Sequence, residues 1–402
     1  MTESAAAAAP DTPVTFSGSR REIARIAFGN TLLTVLTLGI YRFWAKTRLR
    51  QFYWEHIAIG GSPLEYTGRA TELLIGFLIA MVALAILSVI GGVLQFYVGF
   101  GDLQIDGLAE LFSYIVIGWL YGFAVFRARR YRLTRTLWRG IRFGQDGSAM
   151  RYAWMRFGWL LLLVVSFGVV RPWFDVALRR YEMTHTRFGF SRFSYTGRGR
   201  DLFPYWWPVL LPMAAIGVAI ALLGFEVNAA MQRPDLPETG PEAFSAALKV
   251  AFDQPLAGVA VVVFLISLAA AVLLMTRYRV AALRYLFAVS RLEGVTCQSQ
   301  ARTPRILLYA TTFTLLTIAA LAVGGVAILL FDGPGVVLFV IAFMATGILN
   351  QVFFVFPMVR HIAATLGTSD ISALEDVVQA TRDDPRFGEG LLDALDFDMG
   401  AF

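Results

Sequence analysis

The sequence predicts an all-α membrane bundle: six long transmembrane helices and two short re-entrant or interfacial helices, with short β-hairpins on a cytoplasmic face and an internal duplication. Three observations predict it. The 402 residues are 57% hydrophobic and only 16% charged, with mean hydropathy +0.61, whereas a soluble domain is about half apolar and a quarter charged. The apolar residues fall in runs of the length that crosses hydrocarbon, about 20 residues. Arginines collect in alternate segments between those runs.

Taken in chain order, residues 1–13 carry no basic region followed by an apolar core and read as a disordered leader rather than a secretory signal. The long apolar runs are 71–98, 107–126, 202–225, 255–275, 306–330 and 335–358. Two weaker runs, 23–43 and 157–170, fall short of a span. Residues 127–200 hold 16 Arg against Asp146, Asp175 and Glu182, and residues 277–305 hold six Arg against Glu293. The turn near Asp102 and Asp106 and the one at Asp332 hold no base. Only Lys and Arg set orientation, so the basic segments are expected on the cytoplasmic side, with both termini there. A full crossing by 157–170 would put the seven Arg of 171–200 outside. That run is therefore expected to turn back or lie along the interface.

An internal repeat supports this. At an offset of 129, Thr37-Leu-Gly-Ile-Tyr-Arg-Phe-Trp44 matches Ser166-Phe-Gly-Val-Val-Arg-Pro-Trp173. The same offset pairs Arg50 with Arg179, His56 with His185, and Tyr66-Thr-Gly-Arg69 with Tyr195-Thr-Gly-Arg198. The expected division is a first membrane repeat over 14–144, a second over 145–360 with an extra helical hairpin, and an acidic cytoplasmic tail over 361–402. Alternating residues around Gly60-Gly61 and around Gly189 signal β-hairpins. Looser copies are expected at 140–152, turning at Gln145-Asp146-Gly147, and at 290–301, turning at Glu293-Gly294. A lone hairpin is marginal in water, so these are expected to pair with one another.

Phe16-Ser-Gly, the run Leu36-Thr-Leu-Gly-Ile-Tyr-Arg-Phe-Trp-Ala-Lys-Thr-Arg-Leu-Arg50 and Tyr66-Thr-Gly resemble the YjgN-like family of bacterial inner-membrane proteins. The resemblance implies a multi-pass inner-membrane location and assigns neither an activity nor site residues.

Chemistry is sparse. Cys297 is the single cysteine, which excludes a disulfide framework. No nucleophile elbow, phosphate loop or metal-ligand spacing is present, so no catalytic residue, cofactor or metal is expected, and the chain reads as a non-enzyme. His56 and His185 could pair if the repeats face each other; an interfacial role is the simpler alternative. Gly39 and Gly168 mark breaks in the duplicated short segments, the kind of place where transporter sites form. Arg129, Arg130, Arg132, Arg277 and Arg279 abut span ends, where anionic lipid headgroups rather than nucleic acid are the expected partner. Two functional readings follow. One is a transporter or channel working at Gly39, Gly168, His56, His185, Arg50 and Arg179. The other is a non-transporting scaffold or anionic-lipid-binding protein working through its Arg-rich face.

Overall fold

The computed structural model describes residues 12–99, 106–233, 241–331, 333–369, 371–374 and 377–379. Among them, ten strands of three or five residues close into one antiparallel barrel, each strand pairing with its chain neighbours and the last with the first. One pattern builds it. A five-residue strand ends, a helix starts four residues later, helices carry the chain away and back, and a three-residue strand follows. The first pass is β1 (Thr12–Phe16), α1 (Arg20–Leu36), α2 (Arg42–His56) and β2 (Ile57–Ile59). The second is β3 (Ser62–Tyr66), α3 (Ala70–Gly99), α4 (Asp106–Thr134) and β4 (Thr136–Trp138). The third is β5 (Ile141–Gln145), α5 (Ala149–Val165), α6 (Arg171–Thr184) and β6 (Thr186–Phe188). The fourth runs through β7 (Ser191–Tyr195), α7 (Gly199–Met231), α8 (Pro241–Phe252), α9 (Pro255–Val289) and β8 (Ser290–Leu292). The fifth is β9 (Val295–Ser299), α10 (Thr303–Phe331), α11 (Gly333–Leu349), a π-helical stretch Asn350–Val355, α12 (Phe356–Thr365) and β10 (Leu366–Thr368).

Two-residue turns join four of the hairpins. Gly60-Gly61, Arg139-Gly140 and Glu293-Gly294 have both residues at positive φ, the turn whose twist matches that of the strands. The fifth hairpin is split. Thr12 lies opposite Thr368 as Ser62 lies opposite Ile59, and no turn joins them. Every helical excursion leaves and rejoins the barrel at one rim, because the strand ends that flank it face each other: Phe16 and Ile57, Tyr66 and Thr136, Gln145 and Thr186, Tyr195 and Ser290, Ser299 and Leu366. After three strands the aromatic ring folds over the glycine two residues on. A Cβ at Gly18, Gly68 or Gly197 would sit 2.8, 2.5 or 2.6 Å from that ring or its hydroxyl. Only glycine leaves room for this latch.

The all-α expectation of six spans with peripheral hairpins is therefore wrong. The hairpins do pair edge to edge as expected, through β3–β4, β5–β6 and β7–β8, but with β1 and β10 they close into a barrel, which leaves no edge of it unpaired. The expected turn at Gln145-Asp146-Gly147 is instead at Arg139-Gly140; Gly147, at φ +88°, serves the exit toward α5. Among the described residues, four helices are long and apolar enough to cross a membrane: Gly199–Met231, Pro255–Val289, Thr303–Phe331 and Gly333–Thr365. The expected spans 71–98 and 107–126 fall within α3 and α4, helices in which some side chains are not described. Most of the expected leader and tail lies outside the described residues.

The run 23–43 forms a helix, a reversal and the start of a second helix. Gly39 N–H donates to Thr34 O at 2.7 Å, and Thr37 Oγ1 accepts from the Tyr41 amide at 2.9 Å. The equivalent run repeats this geometry: Gly168 N–H donates to Leu163 O at 2.8 Å, and Ser166 Oγ accepts from Val170 N–H at 3.4 Å. Leu38 and Phe167 stand at the two tips, 95% and 91% exposed, with φ +50° in both.

Contacts divide the chain into two units. One is 163–173 with 198–282, in which Trp206 packs on Tyr278 with ring centroids 4.9 Å apart and donates its indole N–H to Gly168 O at 2.9 Å. The other holds the whole barrel. In it α10 and α11 approach at backbone distance: a Cβ at Gly324 would lie 2.9 Å from Phe339 Cα, and one at Gly335 would overlap the Ala327 carbonyl.

The barrel bore is filled. Trp138, Phe188, Leu292 and Val295 are buried in one cluster with Ile59, Leu64, Ile141, Phe143 and Phe193 packed against them. Full burial of such side chains is worth about 1.5–3 kcal/mol each. Three members come from beyond β10: Ile371, Leu374 and Val377. The described residues 371–374 and 377–379 lie beyond the sheet, after Ser369, which exchanges backbone and side-chain hydrogen bonds with Thr296 at 2.9 Å. The segment reaches β5, where the Arg142 amide donates to Gln379 Oε1 at 2.7 Å. Its three anchors must offset an ordering cost of about 1–2 kcal/mol per residue, so this strap is held more weakly than the strands beneath it. Burial also pushes the Cys297 thiol in β9 up to about 11.

Candidate functional site: the polar rim between helices and barrel

Where α4, α5 and α6 meet the barrel, apolar packing gives way to a buried ionic cluster. Glu182, 5% exposed, accepts from Tyr152 Oη at 2.7 Å and from Arg179 Nη1 at 2.9 Å, with Arg129 Nη1 at 3.9 Å. Arg129 also reaches Thr186 Oγ1 at 3.4 Å, and that hydroxyl donates to Glu182 O at 2.7 Å. Burial alone pushes the Glu182 carboxyl up, but Arg179 and Arg129 together outweigh it and hold the group below its ordinary value. Next to Thr186 in the strand register lies Gln145, fully enclosed, whose side-chain amide has no protein partner on either atom. At the matching place in the first repeat the carboxylate is replaced by Tyr53, which donates to Gln351 Oε1 at 3.3 Å.

The residues singled out from sequence fall at several places. Arg50 donates to Tyr66 Oη at 3.1 Å and Arg179 to Glu182, so equivalent arginines serve a neutral partner in one repeat and a charged one in the other. His56 and His185 do occupy equivalent positions, each bonding through Nδ1 to the carbonyl four residues back at 2.7 Å. They precede β2 and β6, however, and three strands stand between these in the barrel on the shorter side. The barrel does not bring them together as a pair. Gly39 lies at an exposed tip with open space around it, while Gly168 meets Trp206 and Leu210. Among the described residues no group of three or more His, Cys, Asp or Glu side chains is placed to hold a metal.

The basic residues expected at lipid divide. Arg129 is committed to Glu182 and is not lipid-facing; the acid that claims it lies 53 residues away in sequence, beyond any local pattern. Arg130 donates to Gly147 O and stacks over Phe126 at 5.3 Å, and Arg132 is half-buried. Arg277 and Arg279 are exposed. A different set stands out at the rim. Every helix that leaves the barrel begins beside exposed arginine: Arg20 and Arg21 at α1, Arg69 at α3, Arg151 at α5, Arg198 and Arg200 at α7, Arg302 and Arg305 at α10. A carboxylate shares the first turn at Glu22, Glu72 and Asp201, but not in α5 or α10. Sequence inspection found the acids of this unit and passed over the arginines, since a cation at a helix start runs against the macrodipole.

Comparison with known proteins agrees with a membrane location. Inner membrane protein YjgN of Salmonella typhimurium is 27% identical over 159 residues, covering 39% of this chain and 36% of the relative. Inner membrane protein YjgN of Escherichia coli O157:H7 is 24% identical over 162 residues, covering 40% and 38%. The chain thus spans little more than a third of the length of these curated relatives. No solved structure matches it. A family described as "Bacterial protein of unknown function (DUF898)" matches residues 11–394, nearly the whole chain, and to that family the chain belongs.

Proposed function

We propose that this chain is a non-transporting membrane scaffold, its barrel on the cytoplasmic side and seated on anionic lipid headgroups through the arginines at its helix starts. The observation that carries the reading is the recurrence of those arginines at all five exits from the barrel. The positive end of a helix dipole disfavours a cation by about 0.3–1 kcal/mol, so Arg151, Arg302 and Arg305, in first turns that carry no carboxylate, call for a compensating anion. A bilayer phosphate meets both the dipole and the guanidinium. The filled bore supports the same reading, because Trp138, Phe188 and Leu292 leave no path along the barrel axis. The duplicated turns at Gly39 and Gly168 are the observation that favours transport instead.

Each basic residue near an anionic surface contributes about 1 kcal/mol. Replacing Arg69, Arg151, Arg302 and Arg305 by Gln together should therefore weaken headgroup binding on the order of a thousandfold. Native mass spectrometry of protein from membranes containing phosphatidylglycerol and cardiolipin should show bound anionic lipid on the wild type and little on the variant. Equal lipid on both would refute the reading. Solute flux above protein-free proteoliposomes would replace it with the transport reading.

A further inference from the structure

We propose that the open end of the barrel is a peptide-docking site, and that residues 369–379 are its tethered, releasable occupant. The occupant has the form of a short recognition motif. Aliphatic side chains at 371, 374 and 377 enter the barrel cluster, and an amide side chain two residues later takes the backbone N–H of Arg142. The docking surface is matched to it at one position. Each hairpin turn at this end begins with a residue at φ near +50°: Gly60, Arg139, Gly189 and Glu293. Gly189 opens a turn whose second residue, Phe190, is not at positive φ, the form that itself takes glycine in first place, and it also differs in what lies above it. A Cβ there would overlap the Val378 carbonyl and lie 3.1 Å from Val377 Cγ1 and 3.2 Å from Ile141 Cγ2. The glycine at 189 thus serves both its turn and the strap that lies against it. The ligand class is a short peptide with aliphatic residues at three-residue spacing followed by a side-chain amide. The cis strap occupies the site until such a segment competes.

The test uses the full chain and a fluorescent peptide of residues 369–380. Gly189→Asn strikes the strap and also strains its own turn, so Leu374→Asp, which leaves every turn intact, decides between the two effects. Gly140→Asn, at another positive-φ turn position with open space around it, is the control for turn strain alone. In Gly189→Asn, amide exchange at Arg142 should speed at least tenfold, Cys297 should react faster with a maleimide, and the peptide should bind. The wild type and Gly140→Asn should show none of these changes. A second opening variant, Leu374→Asp, alters the strap and leaves every barrel strand intact, so it answers the question should Gly189→Asn not fold. Unchanged exchange at Arg142 in the folded opening variants would overturn the proposal. So would equal binding of a peptide carrying Ser at 371, 374 and 377.

Discussion

Replacing Glu182 by Gln preserves the shape of the buried cluster and removes the carboxylate that Arg129 and Arg179 share. Arg129 and Arg179 then face each other, with the amide group of the new side chain between them. Deleting one partner of a buried ion pair costs about 3–5 kcal/mol. Arg179 is one-third exposed, and solvent screening there reduces the expected loss to about 2–4 kcal/mol. If the barrel unit of about 300 residues unfolds as one, at about 2.1 cal/mol/K per residue, its melting temperature should fall by about 3–6 °C. The measurement is thermal unfolding of both proteins in one detergent between pH 7 and pH 3. The sign of the pH effect is fixed by the depressed carboxyl. Its stabilising contribution is fully present above the ordinary value of 4.5 and is lost as pH falls through the folded value. The gap between wild type and variant should therefore hold from pH 7 to about pH 4.5 and narrow below it. A variant that melts within a degree of wild type at pH 7, or a gap that does not narrow in acid, would refute the reasoning.

Two further substitutions probe the frame. Trp138→Ala empties the centre of the barrel and removes the indole N–H that donates to Ser62 O at 3.2 Å. It should cost about 3–5 kcal/mol, and a loss below about 1 kcal/mol in chemical unfolding would mean the bore is not packed. Gly335→Leu forces α11 off α10, since even a Cβ would overlap Ala327. Small residues let membrane helices meet at backbone distance, so the yield of folded, monodisperse protein should drop sharply. Unchanged yield and melting would show that α10 and α11 do not approach so closely.

The sequence revealed the parts of this protein better than their closure. Gly60-Gly61 and Glu293-Gly294 are strong local turn signals, and both turns are where the residues place them. The strands are too short for a period of two to register over more than a few residues. β10, Leu366-Gly-Thr368, carries no alternation at all, yet without it and β1 there is no barrel. Length misled at 23–43 and 157–170 less than expected, because the repeated Thr/Ser-Leu/Phe-Gly at 37–39 and 166–168 encodes the reversal directly through side-chain and glycine hydrogen bonds. Glu182 was counted as one of three acids among 16 arginines without being given a role. Its partners come from α4, α5 and α6, and nothing local brings them together. Gln145 was read as a turn residue because Gln-Asp-Gly is turn-like; it ends a strand instead.

The pairing of β1 with β10 has a kinetic meaning. Thr12 must wait for Thr368, so the first strand made keeps one side open until the last has been synthesised. Contacts this distant in sequence form slowly, and an open strand edge meanwhile invites pairing with a neighbouring nascent chain. Helices inserted early would hold the growing sheet at one surface and out of reach of such neighbours. Anchoring would then protect assembly before it serves any mature role.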